Sequence, residues 1–383
     1  MPGLTRTDRR RLAARRLAAL GLVSAPTGSS PRAPADIVRH LGAAQAQDLG
    51  SGLWSLGVRG VGAVADILAA VERRELTRTW PMRGTLHWVA AEDVGWMCAT
   101  LAGPSMRAAE RVLVHEGLTP AVVEQAGRIL LAELDARPEL TRADVATTLS
   151  RNGIDASGQR CYHLLVRHCQ TGLLCQGPIR TTATGGLEPT FVRLEHWVER
   201  RRRLEGVDAL AVLAERYVTS HGPVTEADLA RWCDQPLRPL RAALEALGDR
   251  IGTESIGGAP HLVAADAEPP PLRVPGALLL PGFDEYLLGY RDRNAQLTRE
   301  QERLVVPGGN GVFRPTLVVD GLVAGTWRRT TTTQGLAVEI SPWARPTAAV
   351  RRAAEAAGAA YGRFLGRRET VRWTDPVDGT LAR

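Results

Sequence analysis

Apolar positions recur every three or four residues through most of the first two thirds of the chain and alternate in the last third, a pattern that predicts helices followed by a strand-rich end. "RTDRRRLAARRLAALGL", from Arg6, interrupts its apolar positions with arginines and reads as an opening amphipathic helix. Two later stretches look alike: "LTRADVATTL", residues 140 to 149, and "VTEADLARWC", residues 224 to 233. Each sets a threonine at a helix N-cap with an acid three residues on, Asp144 after Thr141 and Asp228 after Thr225. After the first come a turn ("NGIDASG"), a helix ("QRCYHLLVRHCQTG") and the apolar "LLCQGPI"; after the second come "PLRPLRAALEALGD" and "RIGTESIGG". Helix, turn, helix, strand is the winged-helix order. A less regular copy can be drawn near the N-terminus, with "APADIVRHLG" as its short helix.

"AADAEPPPLRVPG", residues 264 to 276, reads as a linker. Beyond it "ALLLPGFDEYLLGY", "RLVVPG", "FRPTLVVDGLVAGTWRR" and "GLAVEI" are strand-like, and Asp320-Gly321 is a hairpin signal. "RPTAAVRRAAEAAGAAYGRFLG" closes the chain as a helix. The expected fold is mainly α with β. It comprises three tandem winged-helix units (1–118, 119–205 and 206–263), then a small antiparallel barrel or sheet with a closing helix (264–383).

At 383 residues the chain can bury a large core and divide into several units. Its 48 basic residues, all arginine, exceed 41 acidic ones for a net charge of +7. Guanidinium forks suit phosphate oxygens, although a GC-rich genome also favours arginine over lysine. Five cysteines without close pairing fit a reduced, cytoplasmic chain, expected to be a monomer. No apolar run approaches the ~18 residues that a membrane span needs.

Candidate chemistry is sparse. Cys161, His163, His168, Cys169 and Cys175 lie close together but form no CxxC pair, so the cysteines are assigned to the core and neither metal nor cofactor is expected. No GxxxxGK[ST] or GxGxxG occurs, and "PGGNGVF", residues 307 to 313, reads as a hairpin loop. Arg83, Thr85 and His87 alternate within "TWPMRGTLHWV" and would project from one face of a strand. Arg200, Arg201, Arg202 and Arg203 form a run that is either a solvated helix face or a phosphate contact, and Arg160 and Arg167 of the second unit join them as DNA-binding candidates. Asp284 and Glu285, flanked by Arg291 and Arg293, are a second-choice catalytic pair, with an ion-pair network as the competing reading.

The first-choice pair is Gln45 and Gln47 in "LGAAQAQDLGSGLW". On a helix, side chains two apart diverge; in an extended segment they share a face, and Gly42 is placed to end the preceding helix. A glutamine can orient water or lie against a developing positive charge, yet it neither gives nor takes a proton near neutral pH. Two glutamines therefore suit a reaction whose leaving group needs no protonation, such as loss of a cationic alkylated purine, which departs neutral.

"AAQAQD", "GLWSLGVRG", "MRGTLHWV", "LLPGFDEYLLGYRDR" and "GVFRPTLVVDGLVAGTWRR" together resemble the AlkZ and YcaQ family of bacterial tandem winged-helix DNA glycosylases along nearly the whole chain. Gln45 and Gln47 match the glutamine-apolar-glutamine signature of the AlkZ-like branch, whereas the YcaQ-like branch has an acid in the second place. The resemblance implies excision of bulky N-alkylated purines from double-stranded DNA, sometimes from interstrand crosslinks, leaving an abasic site. A winged-helix transcriptional regulator without catalytic activity is the alternative; it would prefer one DNA sequence, where a repair enzyme prefers a lesion.

Overall fold

Threonine capping boxes start the helices that the periodicity predicts. At Thr5, Thr141 and Thr225 the side-chain oxygen accepts the backbone N–H three residues on, and the aspartate there accepts the threonine N–H in return. The structure is a computed structural model that describes residues 4–23, 32–267, 274, 276–332 and 335–377. Most of the proline-rich linker, residues 268–273 and 275, lies outside the described residues.

One order of elements occurs three times: helix, short extended segment, two helices, hairpin. First come helix Pro34–Leu41, β1 (Ala44–Gln45), helices Leu49–Gly57 and Val64–Glu72, and the hairpin of β2 (Leu76–Met82) and β3 (Thr85–Ala90). The second copy runs through Pro120–Ala136, Leu140, Arg142–Arg151, Arg160–Gln170, β4 (Leu174–Thr181) and β5 (Leu187–Arg193). The third runs through Gly206–His221, Val224, Glu226–Cys233, Leu237–Leu247, β6 (Ile251–Ile256) and β7 (Ala259–Ala264). In each copy the extended segment pairs with the last strand: Ala44 with Trp88, Leu140 with Phe191, Val224 with Leu262. The N-terminal copy is thereby shifted from its expected register. Helix 34–41 takes the leading position, and the helix after the glutamines, capped by Asp48 through Ser51 N–H at 2.7 Å, is the first of the inner pair.

Strands of the first two copies join in one sheet, β1-β3-β2-β4-β5, in which β2 meets β4 at Arg78 and Gln176. The β6–β7 hairpin stays two-stranded. One core runs through the first copy, the third copy and the C-terminal region, while the second copy closes on a core of its own around Leu130, Leu149, Leu164 and Phe191. The opening helix Arg6–Ala19 touches the first copy at its end, where Ala19 O meets His40 Nε2 at 2.6 Å, but most of its polar contacts are with segments far along the chain. Buried Arg16 donates to Pro223 O at 3.2 Å and Gln296 Oε1 at 3.2 Å and stacks 3.9 Å over the Tyr290 ring, and Arg15 meets Glu254 at 2.5 Å. In space this helix belongs with the third copy and the C-terminal region.

The C-terminal sheet has the order β12-β11-β10-β9-β8, built from β8 (Ala277–Leu280), β9 (Thr316–Val319), β10 (Leu322–Thr332), β11 (Gly335–Pro342) and β12 (Glu369–Trp373). It is a curled open sheet rather than a closed barrel, with helix Ala348–Leu365 packed on its edge strands β8 and β12. It is not wholly antiparallel, because that helix crosses over and returns β12 parallel to β11. Asp320 (φ 50°) and Gly321 (φ 79°) make the expected tight turn between β9 and β10.

Three expected strand-like or loop readings are corrected. In "ALLLPGFDEYLLGY" only the first residues are strand, and Glu285–Leu288 is a helical turn capped by Asp284. The first half of "RLVVPG" ends helix Arg299–Val305, started by a Thr298/Gln301 capping box, and its last two residues enter a 3-10 turn. "PGGNGVF" begins with a 3-10 turn and leads from that helix into β9, so it closes no hairpin.

Thr225→Ala removes a cap that fixes both ends of a box, and should lower unfolding stability by about 1 kcal/mol, measured by urea denaturation. An unchanged midpoint would mean that Asp228, also held by Arg291 N–H at 2.8 Å, orders this helix end without the threonine.

Candidate active site

Gly42, at φ 78°, ends helix 34–41 and turns the chain into β1, where Gln45 pairs with His87 of β3. Directly opposed residues of an antiparallel pair lie on one face, so these two side chains are neighbours. Gln45 is buried, its N–H donates to Glu285 Oε1 at 3.2 Å, and its Oε1 has no hydrogen-bond partner. The extended course continues through Ala46, whose N–H donates to Leu86 O at 2.8 Å. Gln47 is exposed, and its Oε1 accepts from Leu86 N–H at 3.0 Å, taking the place of a backbone acceptor in the ladder.

Glu285 is 1 % exposed and has a donor on each oxygen: Gln45 N–H on Oε1, and Trp232 Nε1 (2.9 Å) with His221 Nε2 (3.3 Å) on Oε2. Burial alone would raise its pKa; the hydrogen bond from His221 and the nearby Arg83 charge outweigh that and hold the carboxyl down at about 2. Asp284 is equally engaged. Arg59 grips it with Nη1–Oδ2 at 2.8 Å and Nη2–Oδ1 at 3.0 Å, and Tyr286 N–H donates to Oδ1 at 2.9 Å. Both acids are engaged, though not by the flanking arginines: Asp284 is ion-paired to Arg59 and Glu285 is held by Gln45 N–H, Trp232 and His221, while the Arg293 side chain goes to Leu287 O and Glu302.

Arg83 is not in a strand. It sits at φ 56° in the Arg83–Gly84 turn between β2 and β3, because Thr85 rather than Arg83 begins the return strand. The turn nonetheless brings Arg83 to His87: Nη2 donates to Nε2 at 3.0 Å, while Nδ1–H donates to Thr85 O at 2.8 Å. Desolvation and the Arg83 charge push the His87 pKa down to about 3, so the ring is neutral at physiological pH. Thr85 Oγ1 is buried and unpaired, and burial lowers the pKa of Arg83 from its ordinary value.

The profile of the family described as "DNA glycosylase AlkZ-like" matches residues 38–364. The chain belongs to the AlkZ-like DNA glycosylase family. A curated relative, the "Interstrand DNA cross-link repair glycosylase" of Streptomyces sahachiroi, is 27 % identical to this glycosylase over 263 residues, which are 66 % of this chain and 70 % of that protein. Among solved structures, "Streptomyces sahachiroi DNA glycosylase AlkZ" superposes with a TM-score of 0.75 at 24 % identity, covering 95 % of this chain and 99 % of that one, a likeness of fold.

The remaining arginine candidates of the glycosylase differ in how far they are already engaged. Arg160 is tied to Asp155, with Nε 2.7 Å from Asp155 O, and Arg167 Nη2 donates to Glu110 Oε2 at 2.9 Å and Met106 O at 3.3 Å. Arg200 to Arg203 are all exposed but lie in an irregular segment, so the helix-face reading does not apply. Of the four, Arg202 is drawn toward Asp93, with Nη1 3.5 Å from Oδ1. Cys161, His168, Cys169 and Cys175 are buried in the second copy and its joint with the first, and His163 lies 3.6 Å from Glu116. Among the described residues no three metal-binding side chains converge, and no helix is long and apolar enough to cross a membrane.

Sequence reasoning missed Arg78, which bonds the Ala46 carbonyl between the glutamines, and His221 and Trp232, which hold the Glu285 carboxylate that in turn accepts Gln45 N–H. No local spacing marks them.

Acid sensitivity follows from the buried histidines. In the fold His87 is pushed down to about 3 and His168 to about 4, with His221 and His40 also lowered by burial, whereas the unfolded chain takes up these protons near 6.5. Groups with depressed folded pKa values stabilise the fold above the unfolded value and lose that contribution as pH falls. Urea midpoints should therefore hold steady above about pH 7 and decline from about pH 6.5 downward. A midpoint that rises on acidification over that range would contradict the buried, neutral state of these rings.

Proposed function

We propose that the glycosylase hydrolyses the N-glycosidic bond of bulky N-alkylated purines in duplex DNA, including purines tethered across strands, and leaves an abasic site. One observation carries this reading: among the described residues, the groups bonded to the glutamine strand include no proton donor suited to neutral pH. His87 titrates at about 3 and already accepts from Arg83, and Glu285 titrates at about 2 with both oxygens engaged. A purine cationic through alkylation needs no such donor, since breaking the C1′–N bond returns the electron pair to the ring and releases a neutral base. Gln45 and Gln47 would hold water against C1′ and lie against the forming oxocarbenium; water oxygen bonds to C1′ and its proton passes to solvent. The cross-link activity in the relative's name fits a leaving group of this kind. Asp284 and Glu285 then act by holding the site.

The three repeated element orders read as winged-helix units that track the duplex, with boundaries near 118, 205 and 263, except that helix 6–19 docks on the third unit and the C-terminal region. Exposed Arg200, Arg201 and Arg203, together with the net charge of +7, are suited to phosphate contact. Arg83, beside His87, is suited to the phosphate flanking the lesion. The family assignment favours this enzyme over a regulator without chemistry.

Gln45→Ala and Gln47→Ala should each slow single-turnover excision from an N7-alkylguanine duplex by about 10² to 10³ while equilibrium binding stays nearly intact. Parent-like rates in both variants would make the glutamines structural. Binding to undamaged duplex should weaken steeply with salt, by about 0.9 in log–log slope per phosphate neutralised. A flat salt response would remove the arginine surface from the interface.

A further inference from the structure

Beneath the glutamine motif lies a buried arginine that has no carboxylate within ion-pair distance among the described residues. Arg78 of β2 is 4 % exposed, and its Nη2 donates to Ala46 O at 2.8 Å, the carbonyl of the residue between the two glutamines. Its guanidinium carbon lies 5.7 Å from the Trp88 ring centroid, and its Nε and Nη1 are buried without partners. Trp88 Nε1 and Gln176 Oε1, both from residues paired with Arg78 in strand register, are also buried and unpaired. Desolvation lowers the pKa of Arg78 to about 10, which still leaves it charged at neutral pH. A buried, incompletely satisfied cation is costly to the fold, and an apolar side chain of similar volume would stabilise it better.

Ala46 is also confined from the other side. A Cβ at Gly52 would lie 2.7 Å from Ala46 Cβ, 2.9 Å from Ala46 Cα and 3.0 Å from Trp88 Nε1, so this position admits hydrogen alone unless Ala46 moves. The peptide that spaces Gln45 from Gln47 is thus fixed by a charge-assisted bond at its carbonyl and by steric contact at its side chain.

We propose that Arg78 is a positioning residue for the glutamine pair: by holding the Ala46 carbonyl while the Ala46 side chain packs on Gly52, it sets the spacing and aim of Gln45 and Gln47. The inference rests on the catalytic reading of the glutamines. Arg78 is also the register partner of Gln176, where β2 of the first copy meets β4 of the second, so the residue that holds the motif sits at the joint with the second copy.

The test compares Arg78→Met, Arg78→Lys and Gly52→Ala with the glutamine variants on one N7-alkylguanine duplex, measuring single-turnover rate and equilibrium binding separately. Arg78→Met should lower the rate 10- to 100-fold with binding within 3-fold, since a displacement of about 1 Å at a reacting group costs up to 10². Arg78→Lys, which keeps one charged donor, should recover most of that loss. In a Gln45→Ala/Gln47→Ala background, Arg78→Met should add less than 3-fold. A parent-like rate in folded Arg78→Met, or a full independent loss in the glutamine-free background, overturns the proposal. Should Arg78→Met fail to fold, Gly52→Ala decides: it displaces Ala46 from the opposite side and should reproduce the rate loss with binding intact, and a parent-like rate overturns the proposal. Failure of the underlying reading is seen separately, as parent-like excision by the two glutamine-to-alanine variants.

Discussion

The Glu285 carboxylate is the interaction on which the site depends. It is a fully buried charge, tolerable only because donors from separate parts of the chain meet it: Gln45 N–H from the first copy, and His221 and Trp232 from the third. Loss of any one would leave part of an ionised group unsatisfied in a low-dielectric interior, so the three segments are held together by the requirement to solvate one charge. Asp284, its neighbour, grips Arg59 at the end of the first copy's inner helix. The Asp-Glu pair therefore fastens the C-terminal region to the first copy at two points, the glutamine strand through Glu285 and the end of the following helix through Asp284, and both acids are consumed in doing so.

That consumption shapes what chemistry the proposed site can support. Burial keeps His87 neutral, and Arg83 occupies its acceptor nitrogen; Glu285 stays ionised to very low pH. On the proposed reading the cation needed for bond breaking comes from the lesion itself, and selectivity for damage follows from the absence of an acid, because an unmodified purine leaves poorly without protonation. A site of this kind discriminates by what it withholds as well as by what it contacts.

Much of the architecture was legible where local physics dictates it. The Thr141 and Thr225 boxes and the Asp320-Gly321 turn form as their spacing requires. Gln45 is extended because Gly42 ends the helix before it. The errors fall where a pattern was read through a breaker or past a usable signal. Arg83 falls within an alternating run, yet Arg-Gly is a turn, and "RLVVPG" has a strand's apolar run, yet Thr298 and Gln301 form the same kind of box that starts the other helices. "ETVRW" alternates as a strand should, but follows the helix that the pattern marks as closing the fold. The Glu285–Gln45 bond joins residues 240 apart, and no local periodicity encodes such a contact.

The two glutamines also take their support from different cores. Gln45 is held through Glu285 and Trp232, and Trp232 belongs to the large core shared by the first copy, the third copy and the C-terminal region. Gln47 is held by the N–H of Leu86, whose side chain, with that of Trp80, packs into the separate core of the second copy. The β2–β3 hairpin contributes to both, since its Met82, Trp88 and Val89 lie in the large core. Close-packed cores move as units rather than deform continuously, so the distance between the glutamines is set at this hairpin. Leu86 and His87 are adjacent in β3, so Gln47, bonded to Leu86, and Gln45, paired with His87, are held by consecutive residues of one strand. On the proposed reading the geometry of the pair is carried by this hairpin, which the second copy's core buttresses through Trp80 and Leu86.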